Sequence, residues 1–375
     1  MIKHDSLGPE KLIEVYDPKT KLHGFLVIDN TLLGVAKGGL RMTPTVTLEE
    51  TFHLARIMTY KNAIANLPFG GGKSGIVADV KKISQEEKSE LIRGFSKAIK
   101  PLCPSRYIAG PDVNTGEKEM AEFVKANGSL KSATGKPATM CVKPGVECGL
   151  PHEFGSTGFG VVQAVLAALA FLGKNVEGMK VAIAGFGNVG GFVTSLLAKE
   201  KAKIVAISDS GGTTYNPKGL ETKKIFDIKK KKGTVTANKD GEELSSEDIV
   251  TLNVDILIPA AYHETITAEN VNEVKAKLIV EAANLAVKPD AEVTLYKKGV
   301  LVVPDIVANA GGVISSYAEY RGYNPKQMFT LIERKIKRNL GTVLGKSKAE
   351  KITPRQAALK IALDRLNRPT NSKHA

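Results

Sequence analysis

Three lysines and one aspartate stand where the chain could present charge to a small ligand. Gly72-Lys73-Ser74 invites a phosphate-loop reading. The G-x-x-x-x-G-K-[ST] pattern would need glycine at position 67, and Leu67 stands there, so that reading fails. What remains is a lysine presented by glycines, which let a backbone approach a ligand closely. Lys37 precedes Gly38-Gly39, and Lys61 lies near the end of a helical stretch in Met58-Thr59-Tyr60-Lys61-Asn62. Asp112 sits in Ala109-Gly110-Pro111-Asp112-Val113-Asn114-Thr115. Taken singly, each is ordinary: a helical lysine is usually a solvated charge, and aspartate is a common turn residue.

A second pattern carries different chemistry. Gly185, Gly187 and Gly190 form G-x-G-x-x-G directly after the apolar run Lys180–Ala184 and at the start of a helical run, and Asp209 ends the next apolar run. That context is what a dinucleotide site requires. Gly185 permits the tight turn, and Gly187 lets the backbone approach a pyrophosphate seated on the helix N-terminus. Asp209 could accept hydrogen bonds from a ribose or cap the turn Ser210-Gly211-Gly212, so it does not choose between NAD and NADP.

The elements that must hold these residues read as two textures. Gly24–Asp29 predicts a strand. Thr47 with Glu50 predicts a capping box opening a helix over 48–64, which breaks at the Gly-rich loop around Gly70–Gly72. Ser84 with Glu87 predicts a second box and a helix running to about Lys100. Residues 133–157 read as loop and as the inter-domain boundary. Beyond Thr157, strands at Lys180–Ala184, Ile204–Ser208, Ile256–Pro259, Leu278–Glu281 and Val300–Val303 alternate with helices, which predicts a doubly wound parallel sheet. The expected organisation is residues 1–150, 151–325, and a helical, basic 326–375.

Composition removes several classes. With 375 residues, 42% of them apolar and 25% charged, the chain has material for two or three domains and none of the bias of a disordered protein. The longest apolar stretch, Val161–Leu172, falls short of the ~20 residues a bilayer span needs, and the N-terminus shows no apolar signal region. Three cysteines are not a disulfide scaffold, and the odd count suggests a reducing, cytoplasmic setting with free thiols. Cys141, Cys148 and His152 match no zinc spacing, so no metal is expected. The net charge of +14 invites a nucleic-acid partner. Yet +10 of it falls in Lys326–Ala375, where a solvated helical face is the plain reading, and no nucleic-acid module or aromatic–basic interleaving is present.

Together, Lys37-Gly38-Gly39-Leu40-Arg41-Met42, Met58–Ala63, Gly70–Gly75, Pro111–Thr115, Gly185–Gly190 and Val307-Ala308-Asn309-Ala310-Gly311-Gly312-Val313 resemble the glutamate/leucine/phenylalanine/valine dehydrogenase family from about Gly24 to the C-terminal helix. The resemblance implies an α/β fold: a Rossmann-like doubly wound NAD(P) domain (151–325) and an α/β amino-acid-dehydrogenase substrate and assembly domain (1–150). The helices of 326–375 would pack back on the substrate domain, and a cleft would close over an amino acid.

It also implies roles. Lys61 would bind the substrate α-carboxylate, Lys73 would activate water as general base, and Asp112 would shuttle a proton to and from the amine. Thr157, Asn188, Asn284 and Asn309 resemble nicotinamide and ribose contacts, beside Gly185, Gly187, Val189, Gly190 and Asp209 at the dinucleotide turn. A lysine among cations in a desolvated cleft should have a lowered pKa.

Lys37 and Ser316 fall where glutamate-specific members hold the side-chain carboxylate, which implies reversible oxidative deamination of L-glutamate to 2-oxoglutarate and ammonium with NAD or NADP. An apolar or aromatic amino acid is the alternative. A non-catalytic, basic nucleic-acid-binding protein is a remoter one, since it would have no need of Lys61, Lys73 and Asp112 together. Gly110 stands where glutamate members commonly have alanine, suggesting a wider pocket wall. The 138–155 segment is longer than is usual in glutamate enzymes. The resemblance further implies a homo-oligomer, hexamer or octamer, with no membrane and no nucleic-acid partner.

Overall fold

The structure, a computed structural model, describes residues 2–261 and 264–368. The chain divides into two compact units: Met1–Phe154 with Val313–Leu331 and Ile361–Ala375, and Gly155–Gly312 with Ile332–Lys360. The expected third piece is therefore not one body. Residues 332–360 belong to the second unit, and of the expected 326–375 stretch residues 369–375 lie outside the described residues.

In the first unit, β1 (Lys11–Asp17), β2 (Leu22–Asn30), β3 (Ala36–Lys37), β4 (Leu40–Thr43), β5 (Gly70–Val77) and β6 (Tyr107–Ile108) form a sheet of order β1-β2-β5-β3-β6, with β4 also paired to β5. Helices α1 (Leu48–Ile64), α2 (Gln85–Ala98) and α3 (Glu117–Asn127) accompany it. Its core gathers Leu26, Ile28, Leu40, Met42, Ile76, Ile92, Phe95 and Phe123.

The expected Gly-rich loop is instead the start of the central strand β5. A Cβ at Gly71 would fall 2.0 Å from Thr59 Oγ1 and 2.5 Å from the Ala55 carbonyl. Glycine here lets the α1 backbone lie directly on the strand, and so fixes Lys73 in register opposite Val27. The capping box of α2 is complete. That of α1 is half made: Thr47 accepts the Glu50 N–H, but the Glu50 carboxylate turns to Arg41 at 2.6 Å.

The segment 138–155 carries a small hairpin, β7 (Cys141–Lys143) and β8 (Val146–Cys148). Cys141 and Cys148 face each other across it and are joined by a disulfide. Free thiols were expected at both; only Cys103, buried, is free. The C-x6-C spacing gave no hint of an antiparallel turn that would bring the two together.

The second unit contains α4 (Ser156–Phe171), β9 (Lys180–Ala184), α5 (Asn188–Lys199), β10 (Lys203–Asp209), β11 (Gly212–Tyr215), α6 (Thr222–Lys232), β12 (Glu242–Leu244), β13 (Ile256–Pro259), β14 (Leu278–Val280), α7 (Pro289–Lys297), β15 (Leu301–Val303) and α8 (Asp305–Ala308). Its sheet runs β12-β11-β10-β9-β13-β14-β15; β10 to β15 are parallel through β9, and β11 and β12 add antiparallel at the edge. This is the expected doubly wound arrangement. Counted with the turn before it, His152–Phe171 spans 20 residues at mean hydropathy 1.6, so one helix does reach a bilayer-spanning length by composition, contrary to the expectation. It is a packed helix: α4 lies on α5, and 61% of its most apolar window is buried.

Three further helices, α9 (Gly311–Tyr320), α10 (Pro325–Glu350) and α11 (Pro354–Leu366), complete the chain.

Candidate functional site

The first unit brings Lys73 and Asp112 into direct contact. Lys73 Nζ donates to Asp112 Oδ2 from β5, and Arg41 Nε of β4 reaches the same oxygen at 3.3 Å. The loop bearing Asp112 is pinned from both sides. The Asp112 N–H donates to Thr115 Oγ1 at 2.9 Å, Thr115 donates to the Leu40 carbonyl at 2.6 Å, and Asn114, in the left-handed region at φ 61°, donates to the Met42 carbonyl at 2.9 Å. Burial alone would push the Asp112 carboxyl up. The Lys73 and Arg41 charges outweigh it and hold the group down to about 2, so Asp112 is ionised at neutral pH. Glycine permits this contact: a Cβ at Gly39 would lie 2.8 Å from that of Asp112.

Lys37 is a different kind of lysine. It is 3% exposed, and its ammonium donates to the Ala109 carbonyl at 2.9 Å. Its pKa falls to about 7: burial is the largest cause, the charges of Lys136 and Lys73 add to it, and Glu319 opposes. Gly110 is what lets it sit there, since a Cβ at that position would fall 2.6 Å from Lys37 Nζ. The space expected as a wider pocket wall is thus occupied by the ammonium itself. Tyr107 fastens the neighbouring backbone, donating to the Gly38 carbonyl at 3.0 Å while bonded to Ser74 Oγ at 2.9 Å.

Glu319 on α9 accepts from the N–H groups of Gly135 (2.7 Å) and Leu150 (2.8 Å) and from Lys136. Ser316 lies one turn before it, half-buried. Lys61, 7% exposed, occupies the last turn of α1. His152, on a single turn of 3-10 helix, feels Lys37, Glu153, Glu319 and Asp112; burial first and Lys37 second lower its pKa. Sequence reasoning singled out Lys37, Lys61, Lys73, Asp112 and Ser316. It did not single out Arg41, Lys136, His152 or Glu319, which the structure places around them. Only Arg41 lay inside a motif that could have flagged it.

The second unit builds its candidate site from backbone. Gly185 has φ +115°, and a Cβ there would meet Ala261 at 2.6 Å; a Cβ at Gly190 would lie 1.9 Å from the Gly185 carbonyl. Gly187 precedes α5 and faces open space. The helix N-terminus, led by Asn188 and Val189, is therefore accessible to an anion. A cavity of about 960 Å³ opens beside it, lined by Gly185, Phe186, Gly187 and Asp209 among others. Its size and the bare turn suit a dinucleotide.

Thr157 is the second residue of α4. Asn309 Nδ2 donates to Asn284 Oδ1 at 3.0 Å and to the Ala282 carbonyl at 3.1 Å. None of Thr157, Asn284 and Asn309 lines that cavity. Asp209 takes the capping alternative. Its Oδ1 accepts from Gly211 N–H (2.8 Å) and Thr234 (3.1 Å), and its Oδ2 accepts from Lys229 (2.7 Å) and Val235 N–H (2.8 Å). Burial would raise its pKa; Lys229 and the two N–H groups lower it.

Comparison with known proteins places both parts of the chain in one family. Residues 149–373 match the family model "Glutamate/Leucine/Phenylalanine/Valine dehydrogenase", and residues 9–127 match "Glu/Leu/Phe/Val dehydrogenase, dimerisation domain". A glutamate dehydrogenase of Thermotoga maritima is 38% identical over 93% of this chain and 86% of its own length. An NADP(+)-dependent glutamate dehydrogenase of Pyrobaculum calidifontis is 36% identical over 96% and 90%, and an NAD-specific one of Staphylococcus aureus 38% over 91% and 84%. Among solved structures, a hetero-hexameric glutamate dehydrogenase of Thermus thermophilus aligns at TM-score 0.86 with 28% identity, covering 96% of this chain and 88% of that one. An L-tryptophan dehydrogenase of Nostoc punctiforme aligns at 0.71 with 26% identity, covering 96% of each. With a bare dinucleotide turn in one unit, a lysine–carboxylate pair in the other, and matches over nearly the whole length, this chain belongs to the glutamate/leucine/phenylalanine/valine dehydrogenase family.

Proposed function

We propose that this chain is an NAD(P)-dependent glutamate dehydrogenase, catalysing the reversible oxidative deamination of L-glutamate to 2-oxoglutarate and ammonium. The observation that carries the substrate is Lys37: a buried ammonium with a single protein acceptor. A buried charge without a partner is costly. A substrate side chain ending in a carboxylate supplies the partner, whereas an apolar side chain would leave the ammonium unmatched. Relatives whose names specify glutamate, with either NAD or NADP, support the same reading.

In this reading Lys61 holds the α-carboxylate, and Lys37 with Ser316 holds the distal one. Asp112, ionised beside Lys73 and Arg41, accepts a proton from the substrate amine. The hydrogen bond between Asp112 and Lys73 offers that proton a direct route between the two groups. Lys73, in its neutral form, takes one proton of the water that attacks the iminium carbon; Asp112 then returns its proton to the amine, and as the C–N bond breaks and ammonia leaves, the carbinolamine hydroxyl gives its proton to the Asp112 carboxylate and becomes the 2-oxo group. The dinucleotide, held by Gly185, Gly187, Asn188, Val189 and Gly190 with Asp209, Thr157, Asn284 and Asn309 as further contacts, supplies the acceptor for the Cα hydride. Because the Asp209 oxygens are already occupied, a ribose hydroxyl must share them with Lys229. This leaves both NAD and NADP admissible.

Initial rates with ammonium and NADH or NADPH decide it. The expected result is faster turnover of 2-oxoglutarate than of 2-oxoisocaproate, and the reverse would transfer the chain to the apolar amino-acid dehydrogenases. The expected assembly is a homo-oligomer, hexamer or octamer, in the cytoplasm. Light scattering on the purified protein measures the first, and fractionation of source cells the second.

A further inference from the structure

We infer that Arg355 is a positioning residue for the dinucleotide: through Glu281 and Asp305 it holds the loop that carries Asn284 and the turn that carries Asn309. The inference rests on the reading of those two asparagines as cofactor contacts, and it adds the groups that place them. It does not depend on which amino acid is the substrate.

The parallel strands β9, β13, β14 and β15 end at Ala184, Pro259, Val280 and Val303. In sheets of this kind the ligand lies beyond the carboxyl ends of the strands. There β9 leads into the dinucleotide turn, β14 into the loop with Asn284, and β15 into α8, whose C-cap is Asn309. The asparagines are linked to each other, Asn309 Nδ2 donating to Asn284 Oδ1 at 3.0 Å.

Residues 281–286 lie in no helix or strand, and Leu285 takes φ 48°. A leucine in the left-handed region is held there by its surroundings. Two buried carboxylates do the holding. Glu281 Oε2 accepts the Val287 N–H at 3.0 Å and closes the loop on itself, and Asp305 Oδ2 accepts the Leu285 N–H at 3.2 Å. The Asp305 carbonyl also accepts the Asn309 N–H at 3.0 Å. The other oxygen of each carboxylate goes to Arg355: Glu281 Oε1 to Nη2 at 2.5 Å, and Asp305 Oδ1 to Nη1 at 2.7 Å. A guanidinium is planar and its donors diverge at fixed angles. One side chain therefore sets the spacing of the two carboxylates and, through them, of Asn284 and Asn309.

The third carboxylate supplies the control. Glu292 takes Arg355 Nε at 2.7 Å and the Arg355 N–H at 3.2 Å, and among the described residues its side chain bonds nothing else. Asp305→Asn and Glu292→Gln each remove one charge from the same guanidinium, but only the first touches a segment that bears an asparagine. Arg355→Lys keeps the cation and loses the fork. The readout is the Kd of NADH or NADPH, whichever the wild type turns over faster, titrated by its own fluorescence without substrate. In Asp305→Asn and in Arg355→Lys the Kd rises about tenfold, about 1.4 kcal/mol, and in Glu292→Gln it stays at the wild-type value. Chemical denaturation of the same proteins reports the fold separately. Equal Kd changes in Asp305→Asn and Glu292→Gln, or lowered stability with wild-type Kd in Asp305→Asn and Arg355→Lys, would overturn the inference and make the cluster structural only. Asn284→Ala and Asn309→Ala test the reading beneath it. If neither weakens cofactor binding, that reading falls and the inference with it. If they weaken it and Asp305→Asn does not, the inference alone falls.

Discussion

Each unit buries a cluster of charges, and the two clusters are completed in different ways. In the second unit the Arg355 guanidinium is surrounded by Glu281 (2.5 Å), Glu292 (2.7 Å) and Asp305 (2.7 Å), all of them buried. The carboxylates also take backbone N–H groups: Val287 to Glu281, Leu285 to Asp305, and Arg355 itself to Glu292. Each of these bonds points back into the protein. In the first unit Lys37 keeps two free donors, the Thr134 hydroxyl has no partner, and Asp112 is shared by Lys73 and Arg41. Burial of charge is common to both. Spare bonding capacity belongs to only one, and it is the better guide to where a ligand goes.

The largest expected effects separate the clusters by what is lost. Arg355→Met leaves three buried carboxylates without their cation, and should cost about 3–5 kcal/mol of stability in chemical denaturation. Wild-type stability in that variant would mean the cluster relaxes by taking up protons, and the contrast would weaken. Lys73→Met should instead lower kcat by about 10²- to 10⁴-fold, the usual worth of a proton-transfer group, with far less change in unfolding. A kcat near wild type would remove Lys73 from the chemistry.

Lys37→Leu comes next. It deletes a charge that burial disfavours, so the fold should be as stable or more so. Turnover of 2-oxoglutarate should drop about 100-fold relative to 2-oxoisocaproate. Equal loss on both substrates would make Lys37 part of the framework, like Arg355.

The sequence carried the site's motifs and not their environment. Lys-Gly-Gly and Gly-Gly-Gly-Lys could be seen as lysines close to glycine. Whether the glycines made a loop or let a helix lie on a strand was a tertiary matter, and the contact of Gly71 with Thr59 decides it. Glu319 sits in a run with no periodic or motif signal, because its bonds come from residues 135–150 folding against α9. Arg355 was hidden in a basic C-terminal stretch that reads as a solvated face, yet it is 7% exposed. The parallel sheet and the dinucleotide turn, by contrast, follow from local patterns and were legible. A turn defined by φ and close backbone contact needs glycine wherever it occurs.

The smallest effect is a pH dependence of opposite sign in the two clusters. Asp112 is held down to about 2, below its unfolded value of about 3.9. Its contribution to stability is complete above about pH 4 and is lost as pH falls through the folded value. Glu281 goes the other way. Burial first, and then the facing Asp305 and Glu292, push it up despite Arg355, and Glu292 is raised as well. With one guanidinium among three carboxylates, full ionisation leaves excess negative charge in the interior, so the folded state retains a proton that the unfolded chain releases above about pH 4.3. Stability from this cluster is therefore greatest below that pH and declines as pH rises toward the folded value, by at most about 1.4 kcal/mol per pH unit. Glu281→Gln cannot ionise, so its stability relative to wild type should improve between pH 5 and about 8. A difference that stays flat across that range would place the retained proton elsewhere, and Glu281 would then be as fully ionised as Asp112.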